Sequence, residues 1–363
     1  MGTACEETPR VAPGRGDGAV ARRLTANPIL SPEAVRPSHP DLVVECLLNP
    51  GAFVWNGITG LLLRVAERPR QEEGWVSTPV LSADGEVEVR RFRTGDPDLD
   101  LSDPRLIRHR GMTFLTTLSH LRLAWSPDGV KFAVEDNPAL VGAGPGENFG
   151  VEDARVVRIG DSFHITYTAV SDKGHGVGMA RTKDWAIFER CGMILPPPNK
   201  DCAIFERAID GRFWMHHRPT TSGFAGNCIW AAESEDLVHW SGHRFVAAPR
   251  PGSWDEGRVG AGAAPIETGH GWLSVYHGAT RDHRYCLGLL LLDLNDPSKV
   301  LARSAAPVMQ PDADYEASGF LGGVIFTNGH VVDGDRLTIY YGAADHVVCA
   351  AEFSLGQLLS TLI

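Results

Sequence analysis

The sequence lacks the marks of a membrane or nucleic-acid protein. No apolar run reaches the roughly 20 residues that a bilayer requires, and the richest stretch, near Leu287–Leu292, suits a buried strand. The N-terminus carries no apolar segment of the signal-peptide kind, so a cytoplasmic protein is expected. No block of Lys and Arg occurs, basic residues do not interleave with aromatics, and the net charge is −11. A polyanion or an anionic membrane is therefore not the expected partner. The seven cysteines are odd in number and show no C-x-x-C spacing, which suits free thiols in a reducing compartment and speaks against a zinc site or a disulfide framework. No Gly-rich phosphate loop, G-x-S-x-G elbow or dinucleotide fingerprint appears. Helical periodicity is almost missing; the one convincing candidate is the C-terminal segment Phe353–Ile363.

What is present is turn-rich and strand-rich. The 363 residues include 40 glycines and 24 prolines, with 43% hydrophobic and 22% charged residues. That is an ordinary globular composition biased toward turns. Nine tryptophans and 14 histidines suit a carbohydrate pocket. Residues 1–26 are polar and aperiodic and are expected to form a tail, leaving 27–363 as one domain.

A unit recurs along the body. Each copy opens on a polar or glycine cluster and a short apolar strand. A Gly- or Asp-containing turn follows, then a second strand ending in Tyr, His or Thr. Clear copies run from Glu152 to Val170, Asn199 to Pro219, Gly260 to Ala279 and Gly322 to Asp345, with a looser one from Asp103 to Ser119. The strands after the turn begin near Met112, Phe163, Phe213, Trp272 and Leu337, and Leu61 offers a further anchor. A period of about 50–65 residues predicts an all-β fold, a five-bladed β-propeller with one repeat per blade. The innermost strand of each blade would line an axial pocket, so the polar groups that open the repeats should converge there.

Those polar groups define the candidate site. Glu152 and Asp153 stand beside Arg155 and follow Asn148. Adjacent carboxylates can split their ionisation, one staying charged and the other held protonated for acid catalysis. In a regular strand only one of the two should face the channel; the pair could equally brace the blade as an ion pair. Lys200 and Asp201 open the next repeat and Arg218 closes its second strand. A lysine and an arginine at one channel mouth could bind an anion, or could pair with carboxylates internally. His216 and His217 are adjacent and diverge on a strand, and no second spaced set of ligands accompanies them, so no metal site is expected. Glu256 could be a general base or a loop salt-bridge partner. Tyr276, His277 and Asp345 lie at strand ends.

Taken together, LLLRVAERP, ENFGVEDARV, NKDCAIF, HHRP, GAGAAPIETGHGWLSVYHGA, GGVIF and YYGAAD resemble, in order, the motifs of glycoside hydrolase family 130, the β-mannoside phosphorylases and related β-mannosidases. The resemblance covers roughly Asn49 to Asp345. It implies a five-bladed propeller and an inverting reaction at a terminal β-linked mannose, in which inorganic phosphate attacks the anomeric carbon and α-mannose 1-phosphate leaves. It implies Asp153 as the general acid, acting through a mannose hydroxyl. Arg64, Asn148, Glu152, Arg155, Asp201 and Asp345 are then the sugar-binding candidates, and Lys200, Arg218, Tyr276 and His277 the phosphate-binding ones. No cofactor is implied beyond phosphate as co-substrate.

The sequence departs from the family pattern in places. Ala154 replaces the usual proline of the Glu-Asp-Pro-Arg motif, a proline is missing before Glu206, the region 86–125 is extended, and an arginine used by some phosphorylases is missing after Asp153. Phosphate is already an anionic nucleophile and needs a basic cradle rather than a base, whereas a hydrolase needs a second carboxylate for water. The leading expectation is a phosphorylase of short manno-oligosaccharides. The rival is an inverting exo-β-mannosidase using Glu206 or Glu256 as base, and a rival of another class is a non-catalytic sugar-binding propeller. The expected partner is an oligosaccharide, with a homo-oligomer left open.

Overall fold

The computed structural model describes residues 21–220 and 226–363. Alternating apolar and polar residues broken by Gly, Asn and Asp turns give antiparallel strands, and these assemble into five principal sheets. The first comprises Leu42–Trp55, Ile58–Pro69, Leu118–Ser126 and Ala133–Val134. The second runs Val151–Ile159, Ser162–Ser171, Gly174–Thr182 and Glu189–Leu195. The third runs Asn199–Ile204, Phe213–Pro219, Ile229–Ser234 and Ser241–Ala247. In the fourth, Arg258–Ala261 and Ile266–Thr268 both pair with Gly271–Ala279, which continues to Tyr285–Leu292 and Val300–Arg303. The fifth joins Ile325–Asp333, Arg336–Ala343 and Val347–Ser354 to Arg22–Arg23 from the other end of the chain. A short C-terminal helix, Leu355–Ser360, is capped by Ser354, whose Oγ accepts from the Gln357 amide at 3.1 Å. No helix among the described residues is long and apolar enough to cross a membrane.

Five strands each begin a sheet and pack against one another: β1 (Leu42–Trp55), β2 (Val151–Ile159), β3 (Asn199–Ile204), β4 (Arg258–Ala261) and β5 (Ile325–Asp333). The cores lie between successive sheets. Phe53, Leu62, Ile165 and Trp185 fill the space between the first and second, with Phe53 stacked on Trp185 at 3.5 Å. Val177, Ile204 and Met215 fill the second-to-third interface, and Phe205, Trp214, Trp272 and Tyr276 the third-to-fourth. Leu273, Leu289 and Ile339 join the fourth to the fifth, and Leu47, Leu61, Tyr340 and Val348 join the fifth back to the first.

Three expectations are corrected here. The segment Asp103–Ser119 is not a repeat of the main pattern. Leu106–His109 and Met112–Leu115 belong to a small three-stranded sheet inside an insertion, and Met112 is 55% exposed; the first sheet is instead built on the Leu61 strand. Of the residues expected to form a tail, 1–20 lie outside those described, whereas Arg22 and Arg23 are strand-paired with Glu352 and Ala351. Finally, Glu152 and Asp153 do not divide between two faces. The register of β2 against its neighbour shifts between Glu152 and Arg155, with Asp153 in the left-handed region at φ 53°. That bulge cancels one step of alternation and sends both carboxylates to the same side.

Candidate active site

A cavity of about 260 Å³ is lined by residues of β1, β2, β3 and β5 and of their neighbouring strands and loops. Its polar wall carries Asn49, Arg64, Glu152, Asp153, Lys200 and Asp345, and its apolar wall includes Tyr285, Phe320 and Phe326. Arg64 is the organising cation. From the second strand of the first sheet it donates Nη2 to Glu152 Oε1 at 2.8 Å and Nη1 to Asp153 Oδ1 at 3.1 Å, and its Nε reaches Ser119 Oγ at 3.0 Å. Asn49 Nδ2 donates to the same Asp153 oxygen at 3.1 Å.

The two carboxyls are driven apart. Burial pushes Glu152 up, and although Arg64 and Lys200 pull it back, Asp153 beside it adds to the rise. Asp153 feels the same burial, but Arg64, Lys200, Arg155 and the Asn49 hydrogen bond together hold it below its ordinary range. Of the two, Glu152 is therefore the more readily protonated. Asp345 sits on the turn between two strands of the fifth sheet, with Ala344 and Asp345 both left-handed at φ 50° and 48°. Burial raises it to about 6, opposed by Arg64 and Arg105 and reinforced by Asp153 and Glu152. Burial pulls Lys200 downward while Asp201, Asp153 and Glu152 support its charge. Lys200 makes no ion pair to another described residue.

Behind this wall lies a second layer centred on Asp201, which is 1% exposed. Its carboxylate accepts a hydrogen bond from Arg155 Nη2 at 3.2 Å, and Arg218 Nε and His277 Nε2 lie 2.8 and 3.3 Å from its other oxygen. Burial opposes its charge, but these neighbours outweigh burial and hold it well below the carboxylate range. Arg155 also donates to the carbonyls of Gly262 and Ala261 at 2.8 Å, tying β2 to the fourth sheet. Gly260 is required at this junction, because a Cβ there would lie 2.4 Å from Asp201 Oδ2 and 2.5 Å from the His277 ring.

The expected site residues thus divide. Arg64, Glu152, Asp153, Lys200 and Asp345 line one cavity. Arg155, Asp201 and Arg218 stand behind it as a buried ionic brace, with the His277 ring against Asp201. The His277 ring is tilted against Phe326 at 4.2 Å, and burial pushes its pKa down to about 4, which favours the neutral imidazole. Tyr276 is on the opposite face of its strand, one residue from His277, and donates to Asp255 Oδ2 at 2.8 Å in a separate cluster with Arg250 and Arg303. Neither proposed base lines the cavity. Glu206 lies beyond the far end of β3, about 15–20 Å along the strand from Lys200, exposed and raised by burial and by Glu267. Glu256 caps its own loop by accepting from the Gly252 amide at 3.2 Å.

Asn148 lies in a neighbouring cavity of about 790 Å³, described below. Three pocket residues escaped the sequence reading. Asn49 was detectable as a lone amide in the apolar run of β1, whereas Arg105 and Tyr285 carry no local signal.

Comparison with known proteins converges on one group. The family model described as beta-1,4-mannooligosaccharide phosphorylase, glycoside hydrolase family 130, matches residues 107–362. A β-1,2-mannobiose phosphorylase of Listeria innocua is 42% identical over 346 residues, covering 94% of this chain and 98% of that protein. A 1,2-β-oligomannan phosphorylase of Thermoanaerobacter sp. is 37% identical over 244 residues, 66% of this chain and 80% of that protein. A solved structure of β-1,2-mannobiose phosphorylase from Listeria innocua in complex with β-1,2-mannobiose superposes with TM-score 0.92 at 41% identity, over 94% of this chain and 99% of that one.

Proposed function

The chain belongs to glycoside hydrolase family 130, and from that premise we propose that it is an inverting phosphorylase of short β-1,2-linked manno-oligosaccharides. The observation that carries the reading is the pairing, in one small cavity, of an Arg64-bound carboxylate couple with a half-buried lysine that has no ion-pair partner among the described residues. The names of the relatives at 42% and 37% identity support the β-1,2 linkage. The five sheets are taken as the blades of one propeller domain. Five cores between successive sheets support this, as does the approach of Gly262 to the Thr327 carbonyl, which brings the fourth and fifth sheets together near the axis.

In this mechanism Asn49, Arg64 and Asp345 hold the terminal mannose, and Lys200 receives the phosphate. A phosphate oxygen forms the new bond to the anomeric carbon from the face opposite the leaving group. The C1–O bond breaks, and the glycosidic oxygen takes a proton from Asp153 relayed by a mannose hydroxyl. Asp153 is ionised in the empty pocket, so it must be loaded. An arriving phosphate offsets Lys200 and repels the neighbouring carboxylates, which raises Asp153 and lets it take up a proton. Arg155, Asp201 and Arg218 act as positioning residues, fixing the strand that presents Asp153.

The test is incubation with β-1,2- and β-1,4-mannobiose, with and without inorganic phosphate, with products resolved. Mannose 1-phosphate formed only with phosphate, and faster from the β-1,2 isomer, is the expected result. Free mannose released at the same rate without phosphate would refute the phosphorylase, and preference for the β-1,4 isomer would refute the linkage.

A further inference from the structure

The insertion between the second and third strands of the first sheet builds a second cavity of about 790 Å³ beside the first. Its walls are the hairpin Trp75–Leu81 and Val87–Arg93, the strand Met112–Leu115, and the loops around Asn148 and Asp172. Leu115 lines both cavities. Phe149 on the second cavity's wall is three residues from Glu152 on the first, and His175 lies near enough to Lys200 that, after burial, the lysine's charge helps push its pKa down to about 4. The two spaces thus lie side by side, with Leu115 between them.

Size and chemistry distinguish them. The first cavity, at about 260 Å³, falls below the ~300–1,000 Å³ that encloses a larger ligand, whereas the second falls within it. Two aromatic rings line the second, Phe114 and Phe149, 6.0 Å apart and tilted, with Phe92 packed on Phe114 at 5.4 Å. Its rim mixes Asn148, Asp172, His175, Glu88 and Arg90, giving hydrogen-bond donors and acceptors of both signs without a net basic cluster. Apolar faces below and mixed polar groups around the edge match a pyranose, whose ring face is apolar and whose hydroxyls radiate outward. They do not match a phosphate.

We propose that this second cavity is the subsite for sugar units beyond the first acceptor mannose, so that the enzyme prefers oligosaccharides of three or more β-linked mannoses to the disaccharide. The inference rests on the phosphorylase reading above. The disaccharide ends at the Leu115 partition, and the third unit lies on Phe114, with Met112 at the open rim. Chain-length preference is thereby set by an insertion outside the five sheets.

The experiment compares β-1,2-mannobiose and β-1,2-mannotriose, in phosphorolysis and in equilibrium binding by calorimetry, on the full chain and on Phe114→Ala and Met112→Trp. The wild type should show a higher kcat/KM for the triose. Phe114→Ala should lower that value by about three- to tenfold, the scale of one lost aromatic contact, and change the biose value by less than twofold. Met112 is 55% exposed, so its replacement by Trp does not burden the core, and the added ring should obstruct the triose selectively. Equal losses for both sugars in both variants, or no preference in the wild type, would overturn the subsite. If neither sugar is phosphorolysed, the functional reading fails, and binding then decides the cavity separately. Tighter triose binding that is lost in Phe114→Ala upholds it, and equal binding of the two sugars overturns it.

Discussion

Replacing Asp345 by Asn should stabilise the protein while impairing it. The carboxyl is raised from 3.8 to about 6, first by burial. A group whose pKa is higher folded than unfolded favours folding below its unfolded value, and that advantage is lost as pH rises through its folded value. Two units at about 1.4 kcal/mol each give about 3 kcal/mol of destabilisation in the wild type above pH 7. Because one side of Asp345 faces the open pocket, solvent screening reduces this to about 1–2 kcal/mol. The amide keeps the shape and removes the charge, and Arg64 retains Glu152 and Asp153 as partners. In urea unfolding, Asp345→Asn should match the wild type near pH 4. Half of the gain should be visible near pH 5 and all of it by pH 7, a midpoint shift on the order of 0.5 M. Phosphorolysis should fall at least tenfold, because the acceptor for the mannose hydroxyls has lost its charge. A midpoint shift of equal size at every pH, or a loss of stability at pH 8, would refute the electrostatic reasoning.

Asp153→Asn should lower kcat by about 10²–10⁴ while sugar-induced thermal stabilisation survives. In the wild type, calorimetry in buffers of different ionisation heat should show proton uptake on phosphate binding, and the variant should lose it; a Glu152→Gln variant that alone abolished turnover would move the acid to Glu152. The two basic residues should separate. Lys200→Ala should raise the KM for phosphate far more than that for the sugar, whereas Arg218→Ala should cost about 3–5 kcal/mol in unfolding, since it leaves Asp201 buried without its nearest cation. Identical kinetic effects with no loss of stability in Arg218→Ala would contradict the two-layer arrangement.

The repeats were legible because alternation and turn residues are local signals, and the strands carrying Phe163, Phe213, Trp272 and Leu337 each became the second strand of a sheet. Met112 misled for the same reason: an inserted hairpin alternates as well as a sheet strand does, and only its exposure distinguishes it. The acidic and basic clusters were visible, but their depth was not. Nothing in the spelling of Arg155 or Arg218 says that Asp201 consumes both, because the partner comes from another strand and the layer is set by tertiary packing. Tyr276 and His277 could have been split by period-two reasoning applied strictly. The same reasoning failed at Glu152 and Asp153, where a bulge intervened.

That bulge is part of a common device. β1 shifts register between Leu48 and Gly51, β2 between Glu152 and Arg155, β3 between Lys200 and Ala203, and β5 between Thr327 and Gly329. The residues within those shifts include Asn49, Asp153, Asp201 and Asn328, and Asn328 Nδ2 donates to the Asn49 carbonyl at 3.2 Å. A regular strand would place every second side chain toward its neighbours and deliver one functional group per strand. A bulged strand delivers two consecutive ones, as with Glu152 and Asp153. The cost is local, of order 1–3 kcal/mol for each residue held left-handed, and it falls on Asp153 and Asp201 at φ 53° and 55°. Aspartate tolerates that conformation better than most residues do. The arginines then hold each strained carboxylate in place: Arg64 on Asp153, and Arg155 with Arg218 on Asp201. The charges that orient the site are therefore the same charges that offset its strain, so removing Arg64 should loosen the pocket and weaken sugar binding together.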